Sequence, residues 1–281
     1  MIIEKNRILR TSGERPIVYD IYHNGSGTAK PVVIFCHGFK GFKDWGAWDL
    51  VAKEFAATNF FFIKFNFSHN GGTPEQPIDF PDLEAFAKNN YSKELEDLER
   101  VLQFISTSIK YDQDKDVDNI SLIGHSRGGG IALLKAAESE KVTKLATWAS
   151  VSDFRSRFDE SSPEFLAWKR SGRRFIKNGR TNQMMPQDWQ FYEDFIEHQD
   201  QLDIKHATQN LNIPHLIVHG EEDTTVSVAS AKDLKKWNPS AELQIFPNTG
   251  HVFDTHHPWN GMELPLVLAQ IVKKTASFLH K

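Results

Sequence analysis

Apolar runs of strand length alternate with segments of helical periodicity along most of the 281-residue chain. That alternation predicts an α/β fold, with a mostly parallel central sheet of about eight strands and helices on both of its faces. The stretch Ile120 to Gly130 agrees: an apolar run stops at Gly124, Ser126 stands alone, and glycines follow at once, as where a strand turns sharply into a helix. No internal repeat or low-complexity linker interrupts the chain, so residues 1–281 read as one domain.

The elements follow in order. Ile2 to Leu9 and Pro16 to Tyr22 read as two strands joined by a turn at Ser12-Gly13, and they suit an antiparallel edge. Pro31 to Cys36 is a short β-rich run. Trp45 to Ala57 has helical spacing, with Trp48, Val51, Ala52 and Phe55 on one face. Phe60 to Phe67 is β-like. Tyr91 to Ile109 is a long amphipathic helix carrying Leu95, Leu98, Val101, Leu102 and Ile105. Asn119 to Ile123 is a strand, Gly129 to Ser139 a helix, and Leu145 to Ala149 a strand. His215 to His219 reads as a strand, Val228 to Trp237 as a helix, Ala241 to Phe246 as an alternating strand, and Glu263 to Leu279 as the closing helix. Right-handed crossovers then gather the functional loops at the carboxyl ends of the strands.

Ser152 to Asn212 breaks the rhythm. It has no clear strand, many aromatic residues and a cluster of arginines at 155, 157, 170, 173, 174 and 180. A stretch this long is functional or carries its own helices. It reads as a small helical cap (residues 152–212) inserted between two sheet strands, the alternative being an excursion without contact to the site.

Hydrophobic residues make up 40% of the chain and charged residues 25%, an ordinary balance for a globular protein. The net charge of −4 gives no basic footprint for nucleic acid. The single cysteine, Cys36, cannot form an internal disulfide, and its apolar surroundings suit a buried inert thiol. The first residues, Met-Ile-Ile-Glu-Lys-Asn-Arg, lack the apolar core of a signal peptide, and no apolar stretch approaches a membrane span. These observations predict a cytoplasmic protein whose partner is a small molecule. They leave the oligomeric state open.

Gly124-His125-Ser126-Arg127-Gly128 fits a nucleophile elbow, in which small residues flank a serine because the turn leaves no room for Cβ atoms. A serine hydroxyl needs a base, and the base needs an orienting acid. Downstream of the His215 to His219 strand lie Glu221, Glu222 and Asp223; the preceding glycine turn and the return to apolar Val226 favour Asp223. The next strand leads to Gly250-His251, which makes His251 the best-placed base among twelve histidines. Oxyanion donors are expected from the backbone N–H groups of Arg127 and, on the His37-Gly38-Phe39 turn, of Phe39. His37 is expected to brace that turn, and the Arg127 side chain to be a solvated first-turn residue. His215, His219 and Asp223 have no compact metal-ligand spacing, so neither metal nor cofactor is expected.

Gly-His-Ser-Arg-Gly, His-Gly-Phe, the Gly220 to Val226 loop and Gly250-His251 stand in the order Ser, Asp, His. On these motifs the chain resembles the α/β-hydrolase superfamily along about its whole length. It looks closest to the group of dienelactone hydrolases, cinnamoyl esterases and prolyl-oligopeptidase-like hydrolases. Where those relatives often carry an Asp-x-Arg-Gly-x-Gly-x-Ser loop, this chain has Asn66 and Ser68 within Phe65 to Thr73. A dienelactone hydrolase proper would use a cysteine where Ser126 stands. The resemblance implies a serine carboxylic ester hydrolase acting through Ser126, His251 and Asp223 on small to medium acyl groups. Aminopeptidase, oligopeptidase or thioesterase activity is the alternative, and a non-catalytic binder on a hydrolase fold a remote one. His37, His125, Trp168, Trp189 and Phe191 are candidate substrate contacts. Substrate choice is expected to lie in Ser152 to Asn212 and in the Asn66–Thr73 loop.

Overall fold

The computed structural model describes residues 1–25 and 27–281. Its strands are β1 (Ile2–Leu9), β2 (Ile17–His23), β3 (Lys30–Cys36), β4 (Phe61–Phe65), β5 (Lys115–His125), β6 (Val142–Trp148), β7 (Arg173–Lys177), β8 (Met184–Asp188), β9 (His215–Gly220) and β10 (Glu242–Phe246). Eight of them form the main sheet in the order β1-β2-β4-β3-β5-β6-β9-β10. From β4 to β10 every neighbouring pair is parallel, while β1 with β2 and β2 with β4 are antiparallel, giving the expected edge.

The helices are α1 (Trp48–Ala57), α2 (Leu83–Ala87), α3 (Tyr91–Thr107), α4 (Arg127–Glu138), α5 (Pro163–Ser171), α6 (Gln190–Glu197), α7 (Ile204–Gln209), α8 (Ala229–Trp237) and α9 (Leu266–Leu279). Strand alternation feeds two cores, one on each face of the sheet. Val32 and Ile34 of β3 face the core shared with Leu98 of α3 and Ile131 of α4. Val33 and Phe35 face the core shared with Val51 and Phe55 of α1 and Ile271 of α9. α9 starts at Leu266 rather than Glu263, directly after Pro265. α2 was not expected from periodicity; the Asp82 side chain caps it by accepting from Ala85 N at 2.9 Å.

Residues 152–212 leave the main sheet between the neighbouring strands β6 and β9. They do contain strands, contrary to expectation: β7 and β8 pair antiparallel beside α5, α6 and α7. β7 is exposed or half-buried along its length, and the buried stretch of β8 (Met185, Pro186, Gln187) mixes apolar and polar residues, so neither strand shows an alternating apolar pattern. Aromatic side chains form the segment's own packing, with Trp168 and Trp189 rings 5.0 Å apart and Phe154 stacked on Tyr91 of α3 at 3.9 Å.

A buried ionic cluster ties β2 and β4 to the residues after β3. Lys43, Lys64 and Asp20 are fully buried. Lys43 Nζ lies 2.8 Å from Asp20 and 2.5 Å from Asp44, and Lys64 Nζ lies 3.0 Å from Asp20 and pairs with Asp44 and Asp49. Asp20, Asp44 and Asp49 come close enough together to suit a metal ion, but three ammonium groups, of Lys43, Lys64 and Lys5, already balance their charge. Among the described residues no helix is long and apolar enough to cross a membrane. Removing one partner of a buried pair leaves an uncompensated charge. Lys64→Met is therefore expected to lower unfolding stability by about 3–5 kcal/mol in urea titrations. A loss below about 1 kcal/mol would show that the cluster does not hold these strands.

Candidate active site

The parallel register sets β3 and β5 side by side, pairing Cys36 with Gly124, so the two following turns meet. Ser126 sits at the end of β5 with φ 57° and ψ −121°, a backbone conformation that costs a non-glycine residue energy. The turn is held by Ser126 N donating to Trp148 O at 2.9 Å and by Gly129 N donating to Ser126 O at 3.0 Å. Its glycines have steric reasons. A Cβ at Gly124 would lie 2.3 Å from Gly128 O, one at Gly128 would lie 2.4 Å from His37 O, and one at Gly38 would lie 2.9 Å from Ser126 Cβ.

Helix α4 starts at Arg127, so its N–H belongs to the unsatisfied first turn, where the helix dipole favours negative charge. Among the described residues neither Arg127 N nor Phe39 N donates a hydrogen bond. The Phe39 turn is braced from behind. The His37 ring accepts from Phe67 N at Nε2 (3.2 Å), which leaves Nδ1–H to donate to Gly38 O at 2.9 Å.

Asp223 follows β9 and His251 follows β10. The two loops are tied by Glu221 N donating to Phe246 O at 2.9 Å and Glu222 N donating to Thr249 O at 3.0 Å. Asp223 is buried, whereas Glu221 and Glu222 are exposed. His251 Nδ1 donates to Asp223 Oδ2 at 2.7 Å, and Asp223 Oδ1 accepts from Thr225 N and Val226 N at 2.8 and 2.9 Å. Burial alone would raise the Asp223 carboxyl, but hydrogen bonds from His219 and His251, with the His251 charge, hold it well below the usual carboxylate range. A carboxylate that only accepts fixes the proton of His251 on Nδ1, leaving Nε2 as the basic nitrogen.

Sequence reasoning missed His219. It is fully buried on β9, its Nε2–H donates to Val226 O at 2.8 Å, and the same nitrogen lies 3.2 Å from Asp223 Oδ2. Its place four residues before the acid was the available signal. His125, the residue before Ser126, donates from Nε2 to His251 O at 2.9 Å and so positions the base loop.

Ser126 and His251 line two adjoining cavities. One, of about 250 Å³, is also walled by His37, Phe39, Trp48, His125 and Arg180. The other, of about 340 Å³, is walled by Tyr91, Arg127, Phe154, Phe158, Arg174 and Phe191 among others. Phe191, His37 and His125 therefore reach the cavities, whereas Trp168 and Trp189 line neither. The reason is packing: the Trp168 indole is buried, with Nε1 donating to Gln187 O at 2.9 Å, and Trp189 packs against Phe165 and Tyr192. The Arg127 side chain is not solvated. Its head group lies 4.0 Å from the Phe39 ring centroid, 5.2 Å from that of Phe191 and 3.4 Å from Glu94 Oε1.

The Asn66–Thr73 loop lines neither cavity. Asn66 is consumed in bracing: its Oδ1 accepts from Lys43 N at 2.6 Å and its Nδ2 donates to Pro77 O at 2.6 Å. Asn70 Nδ2 donates to Gly41 O at 3.2 Å. These bonds hold the turn after β3 and engage the Asn66 and Asn70 side chains within the protein.

A model of the alpha/beta hydrolase family matches residues 33–260. The chain is similar to the proline iminopeptidase of Xanthomonas citri, at 46% identity over 57 residues, which are 20% of this chain and 18% of that protein. It is similar to the uncharacterized peptidase YuxL of Bacillus subtilis (strain 168), at 26% identity over 171 residues, 58% of this chain and 23% of that protein. The chain thus spans less than a quarter of the length of these two curated relatives. Its fold is similar to that of Est1E from Butyrivibrio proteoclasticus, with a TM-score of 0.70 at 16% identity over 98% of this chain and 97% of that one.

Burial pushes His37 down to about 4 and His125 down to about 3, the nearby His251 charge adding to the second. Both rings are neutral in the folded protein and take up protons on unfolding, so stability falls as pH drops from 6.5 toward those values. Each is expected to account for a loss of about 2 kcal/mol between pH 6.5 and 4.5. Their ring NMR signals should not titrate between pH 5 and 8; a midpoint near 6.5 for either would refute the burial account.

Proposed function

Because the chain belongs to the alpha/beta hydrolase family, we propose that it is a serine hydrolase cleaving carboxylic esters of small to medium acyl groups. The observation that carries this reading is the 2.7 Å contact of Asp223 with His251 Nδ1, on a base that shares both cavities with Ser126. Ser126 Oγ attacks the ester carbonyl while His251 Nε2 takes its proton, and Asp223 stabilises the imidazolium. The oxyanion is held by Phe39 N–H and Arg127 N–H. The tetrahedral intermediate expels the alcohol, which receives the proton from His251. Water, deprotonated by the same nitrogen, then releases the acid and restores the serine. Residues 152–212 serve as a cap, since they contribute Phe154, Phe158, Arg174 and Phe191 to the larger cavity.

The peptidase relatives favour a second reading, hydrolysis of peptides. An aminopeptidase must bind a cationic amino terminus, for which a carboxylate is the natural partner. Among the described residues neither cavity is lined by an aspartate or glutamate, and both carry arginine and Lys40. That charge pattern supports ester cleavage over aminopeptidase action.

A fluorophosphonate probe is expected to label the wild-type protein and to spare Ser126→Ala; an unlabelled, folded wild type would exclude the acyl-enzyme route. His251→Ala should lower kcat by about 10³-fold or more, because members of such a set act as a unit. Aminoacyl anilides turned over faster than every alkyl ester and acyl thioester in one panel would favour the peptidase reading.

A further inference from the structure

Apart from Arg170, which is exposed and lines neither cavity, the arginines of residues 152–212 divide into two groups. Arg155 pairs with Glu160, Arg173 with Glu84 and Asp188, and Arg180 with Asp79. Arg157 and Arg174 have no acidic partner within ion-pair distance among the described residues, and both line the larger cavity with Lys40 and Arg127.

Arg174 is held by neutral groups. Its Nε and Nη2 donate to Gln187 Oε1 at 2.9 and 2.6 Å, and its plane stacks on Trp168 with the head group 3.7 Å from the ring centroid. Gln187 and Trp168 are themselves buried and joined by a hydrogen bond. Among the described residues this leaves Nη1 as an unengaged donor edge, fixed in place by the other two bonds. Burial disfavours the charged guanidinium and the neighbouring Arg127 repels it, so its pKa is lowered. A half-buried cation that is stacked and clamped, yet unpaired, is complete only when an anion arrives. Glu94 offsets Arg127 alone at 3.4 Å. Tyr91, Phe154, Phe158 and Phe191 line the same cavity, and apolar walls of this kind lower the local dielectric and strengthen an ion pair formed there.

We propose that the larger cavity holds an anion subsite, in which Arg174 Nη1 and the Arg157 guanidinium bind a carboxylate carried by the substrate. The preferred ester is a monoanion, with the carboxylate a few bonds from the scissile carbonyl, as in the half ester of a dicarboxylic acid. This rests on the ester-hydrolase reading for its turnover, but binding of the anion is separable from it.

The test compares monoethyl glutarate with ethyl valerate, in which the carboxylate sits on the acyl side, and 4-acetoxybutyrate with butyl acetate, in which it sits on the alcohol side. A kcat/KM about tenfold or more higher for the anionic member of either pair supports the proposal, and the pair that shows it identifies the side. The preference should shrink as sodium chloride rises from 0.02 to 0.5 M. Arg157→Ala, an exposed position that tolerates truncation, and Arg174→Gln should each lower the anionic-to-neutral ratio about tenfold, and Arg174→Lys should restore part of it. Faster turnover of the neutral member in both pairs, or an unchanged ratio in both arginine variants, overturns the subsite. Calorimetric titration with glutarate reads binding without catalysis. Glutarate binding that weakens in Arg174→Gln supports the subsite even if fluorophosphonate labelling has failed, and no binding to a labelled wild type overturns the subsite while the hydrolase reading stands.

Discussion

The contact on which the site depends is backbone against backbone: the turn after β3 lies directly on the turn after β5. Cys36 and Gly124 are paired in register, a Cβ on Gly38 would reach within 2.9 Å of Ser126 Cβ, and one on Gly128 would reach within 2.5 Å of Cys36 O. Two turns this close leave room for amide N–H groups rather than side chains, which suits the oxyanion donors proposed at Phe39 and Arg127. Such a contact also has no tolerance, because backbone atoms cannot rotate away. The turn after β3 is therefore held from behind by the His37 ring, by Asn66 and Asn70, and beyond them by Lys43 and Lys64 buried against Asp20.

The other half of the site obeys the same constraint. β9 and β10 are parallel neighbours, so the loops after them run side by side, and a Cβ at Gly220 would lie 2.3 Å from Thr249 O. This approach brings a buried carboxylate and a partly exposed imidazole together at 2.7 Å. His125 links the halves, since it precedes Ser126 in sequence and donates to the carbonyl of His251. Displacing any one loop thus disturbs geometry that three others share.

The sheet, its antiparallel edge and the positions of Ser126, Asp223 and His251 were legible because they follow from local constraints. Strand and helix periods are written along the chain, and a turn without room for Cβ atoms needs glycine wherever it occurs. Legibility failed where a side chain's fate depends on distant partners. The Asn66–Thr73 loop looked like a seat of substrate choice because Asn66 and Ser68 stand in place of charged residues; Lys43, twenty-three positions away, takes up Asn66 instead. Trp168 looked like a cavity wall because it is large and apolar, but its NH found Gln187 and its face found Arg174. Arg127 looked solvated because first-turn residues usually are, yet Phe39, Tyr91 and Phe191 close around it. The hairpin of β7 and β8 was hidden because β7, which buries no residue fully, has little alternation to show and β8 buries the consecutive residues Met185, Pro186 and Gln187, of mixed polarity, rather than alternate ones.

This division has a functional counterpart. Acyl-transfer machinery of the kind proposed here is built from backbone amides, glycines and a short relay of polar groups, all of which a local pattern specifies. Recognition of a particular substrate is built from long side chains whose charge state and direction are set by what they meet after folding. Arg173 and Arg174 are adjacent in sequence and alternate across β7. One turns to Glu84 and Asp188 and is neutralised; the other turns to Trp168 and Gln187 and keeps its charge at the cavity. The period of a strand, rather than residue type, thus decides which of two identical side chains faces the cavity.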